Sequence, residues 1–275
     1  GNTLALEALE RLYLQEGHWD EAVNVLDIKI NNIPEEERLP VGKQIAELLT
    51  DKIMDYGRAA QFHEYVLQLD PHDEDSYRSL EEIYKNQGTE EAAGSLVNLY
   101  LAHADIVVEK PFERLETLKS ASQVFEVQLQ QPESALVVLL GGLVPETVHE
   151  EDTIEELERL ARQTGLFSEV VGRYNDVLSM LEDERDAVDL RRYAGRLLAD
   201  ELDQPDDAIY HFQRALSVDP ENIEILEKLE DLYRRVAGWP ELAQTLHSRI
   251  ELSIDPDEKI QLWRKLGEVY EEQLA

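Results

Sequence analysis

Apolar residues recur at intervals of three and four along nearly the whole chain. Between Ile223 and Val236 the apolar positions are Ile225, Leu226, Leu229, Leu232, Tyr233 and Val236, with Glu, Lys, Asp and Arg between them. A strand would alternate at two, so this pattern predicts helices with one packed face and one wet face. Thr153-Ile-Glu-Glu156 has the form of a capping box at a helix start, a threonine oxygen and a glutamate carboxylate satisfying free backbone donors. Asp70-Pro71, Asp219-Pro220 and Asp255-Pro256 predict the ends of helices, because proline cannot continue the hydrogen-bond ladder and biases its predecessor away from helix. The longest apolar run, Ala135 to Val144, is 10 residues and contains Gly141 and Gly142. It predicts a buried helix, being far short of the ~20 residues of a membrane span.

The helices are repeated. Leu9, Leu80, Leu157 and Leu229 lie in the near-copies LEALERLY, YRSLEEIY, IEELERLA and LEKLEDLY, at spacings of 71, 77 and 72 residues. Ala22, Ala93, Val170 and Leu242 keep the same spacings, each 13 residues after its leucine. Two marks in one register indicate tandem repetition. Between them runs a weaker series in which Ala46, Ala121 and Ala194 are followed after 13, 14 and 14 residues by Ala59, Ala135 and Ala208. Each long period therefore contains two helical hairpins.

The segment AIYHFQRALSVDP, Ala208 to Pro220, resembles the second helix of a tetratricopeptide repeat, with small residues at Ala208 and Ala215, an aromatic at Phe212 and a closing Pro220. LWRKLGEVY, Leu262 to Tyr270, is similar to that family's first helix through Trp263, Leu266, Gly267 and Tyr270. Leu6, Leu9, Tyr13, Gly17, Trp19, Ala22 and Pro34 fit the same frame in the first hairpin. The resemblance implies an all-α fold, an α-solenoid of antiparallel hairpins coiled into a right-handed superhelix. It implies one domain over 1–275, with hairpins at 3–34, 38–72, 74–108, 112–147, 151–183, 187–220 and 222–253 and a lone helix at 257–275. In this frame Ala22, Ala59, Ala93, Ala135 and Ala208 are places where paired helices approach closely, and Tyr13, Tyr84 and Tyr233 fill the wedge beside them. Val170, Leu242 and Arg191 depart from the family pattern, and several hairpins carry an extra turn residue.

Composition narrows the partners. With 60 Asp and Glu against 26 Lys and Arg, the formal charge of −34 repels phosphate, so nucleic acid and anionic membrane are poor partners. Cysteine is absent, which excludes disulfides and thiolate chemistry. Gly1 opens the chain without a methionine or a signal-like start, which leaves room for a removed targeting segment; a soluble, cytoplasmic protein is the expectation. The seven histidines form no HExxH pair or nucleophile motif. Asp70-Pro-His-Asp-Glu-Asp75 lacks the glycine and distal glutamate of a calcium loop. No catalytic residue, metal or cofactor is expected, and the chain does not read as an enzyme.

The positive charges are placed unevenly. Only Lys29, Arg58, Arg173, Arg214 and Arg249 fall in or just before second helices. The family resemblance puts the concave groove on the first helices, and its groove places correspond to Arg159, Arg162, Arg192, Arg196, Arg234, Arg235 and Arg264. Guanidinium groups match carboxylates bidentately, so these seven form a candidate ladder for an acidic peptide segment or a chain terminus of a protein partner. The same arginines also stand at helical spacing from acids of this chain, Arg159 from Glu155 and Glu156 and Arg196 from Asp200, where they form ordinary surface pairs. The expected function is a non-catalytic protein-binding scaffold. The alternative is a structural or self-associating segment of a larger repeat protein, docking end to end through the C-terminal helix and its Trp263, Leu266, Val269 and Tyr270.

Overall fold

The computed structural model describes residues 3–274, and among these there are 15 α-helices and no strand. The chain divides into two compact units, residues 1–138 and 139–275. The first unit contains α1 (Thr3–Glu16), α2 (Trp19–Ile30), α3 (Arg38–Leu48), α4 (Tyr56–Leu69), α5 (Glu74–Gln87), α6 (Glu90–Ile106) and α7 (Pro111–Gln123). The boundary falls inside α8 (Pro132–Leu140). The second unit continues with α9 (Glu151–Thr164), α10 (Phe167–Met180), α11 (Val188–Asp200), α12 (Pro205–Val218), α13 (Ile223–Arg235), α14 (Trp239–Leu252) and α15 (Pro256–Gln273). Within each unit every helix packs mainly on its neighbours in sequence, the solenoid arrangement in which each repeat buries its apolar face on the next.

The small-residue series is buried as its periodicity implies: Ala22, Ala59, Ala135 and Ala208 are 0% exposed and Ala93 is 1% exposed. Val170 and Leu242, the larger members, are also fully buried. Tyr84 and Tyr233 are buried beside them, and their hydroxyls stay paired, Tyr84 donating to Glu64 and Tyr233 accepting from Gln213 Nε2 at 2.6 Å.

The turns repeat in the same register. Gly17, Gly88 and Gly165 are left-handed at φ 73°, 63° and 77°, and Ala237 holds the fourth place at φ 57°. Glycine takes that region without a Cβ penalty, which is why the turn recurs as glycine. In the intervening hairpins the left-handed residues are Met54, Gln130 and Asp203 at φ 60°, 54° and 51°. Before the first two of these the helix widens into π-helical turns, Leu49–Ile53 and Val124–Gln128.

Three local expectations need correction. α9 starts at Glu151, so Thr153 lies inside its first turn; its buried hydroxyl makes no hydrogen bond among the described residues and no capping box forms. Asp255-Pro256 does not end α14, which stops at Leu252; Asp255 instead caps α15 by accepting from Asp257 N–H at 3.0 Å, with Pro256 in the first helical position. The apolar run after Ala135 is helical only to Leu140, because Gly141 and Gly142 open a turn, and Val137 within it faces outward.

Candidate functional site

The first helices of the second unit carry the charge. α9, α11 and α13 line a cleft of about 240 Å³. Ile154, Phe212 and Ile225 floor it, and Glu155, Glu158, Arg192, Tyr193, Arg196, Glu224 and Lys228 surround it. The charges at the rim balance at three acids and three bases. Arg192 and Arg196, one helical turn apart on α11, flank the Tyr193 ring at 5.4 and 5.5 Å from its centroid, within cation–π range.

The ion pairs around this cleft are of two kinds. Arg192 bridges Asp189 on its own helix at 3.1 Å and Glu224 of α13 at 2.9 Å, and Lys228 reaches Asp200 at 3.0 Å. These pairs are solvated, and such pairs contribute at most ~1 kcal/mol each. Glu158 is different: it is 4% exposed, accepts Arg196 Nη2 at 2.6 and 2.7 Å on its two oxygens, and accepts Arg162 at 3.1 Å. Arg196 therefore pairs with Glu158 and not with Asp200, because the buried carboxylate has lost its water and holds the nearest guanidinium. Arg196 joins α11 to α9.

The other candidate arginines lie outside this cleft. Arg159 pairs with Glu156 through two contacts of 2.7 Å, the helical pairing open to it from its sequence spacing. Arg234 reaches Glu230 at 3.3 Å, Arg235 reaches Asp203 at 2.7 Å and the Ala199 carbonyl at 3.3 Å, and Arg264 lies 3.4 Å from Glu268. Of the seven, the structure gathers Arg192 and Arg196 around one cleft and adds Tyr193 and Lys228, which the sequence reading passed over.

A second buried carboxylate, Glu230, is 4% exposed and joins three helices. It accepts from Lys265 of α15 at 2.6 Å, from Arg249 of α14 and from Arg234 of α13. Burial pushes its carboxyl up, but the bonds from Lys265 and Arg249 outweigh this and hold it below the usual carboxylate range. Glu158 and Glu230 both directly follow a signature leucine, and Glu10 and Glu81 occupy the same place. Glu10 accepts from Lys29 at 2.6 Å, and Glu81 accepts from Tyr100 at 2.7 Å and Lys85 at 2.8 Å. The recurring glutamate is a fastening between helices, and its signal was the repeated Leu-Glu pair itself.

Two histidines serve packing, His63 and His211. His63 is buried between Thr50 Oγ1 and Ser76 Oγ, each at 3.0 Å. His211 is buried with no partner for Nδ1 among the described residues, and burial together with the Arg191 guanidinium pushes it down to about 4. Arg191, the departure from the family pattern, is buried and pairs with Glu184 at 3.1 Å. An unfolded His211 titrates near 6.5, so between about pH 6.5 and 4 the unfolded chain binds the extra proton. Stability falls as pH falls through that window. Urea midpoints should show a loss of about 2 kcal/mol from this residue between pH 7 and pH 5, much reduced in His211→Phe. An unchanged pH slope in the variant would refute the assignment. The acidic stretch after Asp70 is also structural: Asp73 caps α5 through Ser76 N–H at 3.2 Å and pairs with Lys43, and Asp70 accepts from His72 N–H at 3.1 Å.

Among the described residues no helix is long and apolar enough to cross a membrane. On α15, Leu262, Leu266 and Val269 are buried, while Ile260, Trp263 and Tyr270 are exposed and His247 meets the Trp263 ring edge-on.

Residues 5–40 match the tetratricopeptide repeat family model. A comparison with curated protein sequences finds no match. Among solved structures the chain is similar to a tetratricopeptide repeat protein from Parabacteroides merdae ATCC 43184, at 13% identity and a TM-score of 0.32, over 97% of this chain and 99% of that one. It is also similar to a chain in the structure of Naa15/Naa10 bound to HypK-THB, at 14% identity and a TM-score of 0.34, over 98% of this chain and 39% of that one.

Proposed function

We propose that this chain of helical repeats, whose residues 5–40 match the tetratricopeptide repeat model, is a protein–protein interaction module, and that the cleft of α9, α11 and α13 binds an extended acidic segment of a partner protein. The observation that carries this reading is the convergence of Arg192, Arg196, Lys228 and the Tyr193 ring on one apolar-floored cleft. An incoming carboxylate displaces Glu224 from Arg192 and Asp200 from Lys228, exchanging one solvated pair for another at little cost. Arg196 stays on the buried Glu158 and fixes the wall. The remaining acidic surface repels the same ligand elsewhere, which supports selectivity.

The test uses a fluorescein-labelled peptide of alternating glutamate and leucine, read by anisotropy. Wild type binds it, and Arg192→Glu/Lys228→Glu, with helicity checked by circular dichroism, binds at least about tenfold more weakly. Equal affinity in the two proteins, or no binding to wild type, overturns the reading.

A further inference from the structure

The first unit holds a cleft of a different character. It is about 510 Å³ and lies between the π-helical turn that ends α3, the start of α4 and the outer face of α5. Ile83 forms its floor, and its rim carries Met54, Tyr56, Asp51 and Glu82; no lysine or arginine is among its lining residues.

The repeat supplies its own control for two of these side chains. Met54 occupies the left-handed turn place that Gln130 and Asp203 hold in the corresponding hairpins. A polar side chain serves the turn there, so the backbone does not require an apolar one at residue 54. Met54 is nevertheless 65% exposed, beside Tyr56 at 48%. Glu82 lies two residues after its signature leucine, a place that carries arginine in two of the near-copies, Arg11 after Leu9 and Arg159 after Leu157, and an acid in the fourth, Asp231 after Leu229. Here the place brings a carboxylate to the cleft, and Asp51 adds a second one to its lining.

An apolar floor beneath two carboxylates and a phenol ring complements one kind of side chain. The methylenes of a lysine or arginine cover Ile83 and Met54, while its cation meets the Tyr56 face and the carboxylates of Asp51 and Glu82. An acidic side chain is repelled, and a purely apolar one leaves both carboxylates without a counter-charge. We infer that this cleft binds a basic side chain, arginine or lysine, presented by an extended segment of a partner protein. The inference is independent of the acidic-segment reading, since it concerns the other unit and the opposite charge.

The chain's two methionines provide the readout. Protein labelled with [¹³C-methyl]methionine gives one signal from Met54 and one from Met180, which is 55% exposed in the second unit and reports non-specific attraction to an acidic surface. The probes are acetyl-Leu-Arg-Leu-amide, its lysine analogue, and analogues with glutamate or norleucine at the centre, in about 150 mM salt to screen long-range charge. The expected result is a saturable shift of the Met54 methyl with the arginine or lysine peptide, a still Met180, and no comparable shift with the other two. Asp51→Asn/Glu82→Gln should weaken the basic peptide by about fivefold or more, while Glu36→Gln/Glu37→Gln, the same change of net charge elsewhere, leaves it unaltered. The inference is overturned if Met54 does not shift, if Met54 and Met180 move together without saturation, if the norleucine or glutamate peptide binds as well, or if the two double variants behave alike.

Discussion

Replacing Glu230 with glutamine will destabilise the second unit by about 3 kcal/mol, the lower end of what breaking a buried ion pair costs. The substitution keeps the shape and removes the charge. Lys265 and Arg249 then lose the carboxylate that holds them, and Arg249, whose side chain is 10% exposed, cannot turn to bulk water. Its remaining partners are Glu227 at 2.8 Å and Glu258 at 3.2 Å, which is why the loss stays at the lower end. Because Glu230 joins α13, α14 and α15, the damage is local to the carboxyl end. Amide exchange should rise along α15 before it rises in α11. Glu268→Gln, which breaks only the solvated pair with Arg264, serves as the control and should change stability by less than about 0.5 kcal/mol. If the two variants unfold at the same urea concentration, the buried carboxylate is not a fastening. The sign with pH is also fixed: Glu230 is held below its ordinary range, so its contribution is present above the unfolded value near 4.5 and disappears as pH falls through the folded value.

The sequence made the helices and their register legible because both are periodic. Leu80, Leu157 and Leu229 are each about 1% exposed or less, as are Ala93, Val170 and Leu242 13 residues after them, so burial had left a mark at these repeats; Leu9, in the first hairpin, is the exposed member at 40%. The turns were half legible. Gly17, Gly88 and Gly165 announce the left-handed place, whereas Ala237, Met54, Gln130 and Asp203 adopt it without a glycine to mark it. The candidate site was less legible, for a physical reason. Helical spacing shows which acids stand near an arginine on its own helix, and it correctly paired Arg159 with Glu156. It is blind to neighbours across helices, so it assigned Arg196 to Asp200, missed Glu158 38 residues away, and missed Lys228 altogether. The glutamate after each signature leucine stood in all four near-copies. Its meaning required knowing that the place is buried in two of them, which periodicity of apolar residues alone does not show.

Gly195→Val will cost about 3 kcal/mol, and the reason is the close approach of α11 to α12 at this residue. A Cβ on Gly195 would lie 2.9 Å from Phe212 Cζ and 3.0 Å from Cε1 and Cε2. Phe212 is 1% exposed, so its ring can yield only by shifting toward the cleft it floors and disturbing its packing there. Glycine inside a helix is itself unfavourable by ~1 kcal/mol relative to alanine, and here that cost is offset by the packing of α11 on α12. The check is a double-mutant cycle in urea: Phe212→Leu shortens the ring side of the contact and should recover more than about 1 kcal/mol of the loss when combined with Gly195→Val, although alone it is destabilising. Additive losses would refute the contact. The consequence extends to binding, because α11 carries Arg192, Tyr193 and Arg196. Pushing α11 off Phe212 shifts these three against Glu158 on α9 and Glu224 on α13, the residues opposite them in the cleft. Gly195→Val should therefore weaken the acidic peptide even where it remains folded, and Phe212→Leu in the same chain should restore part of that affinity.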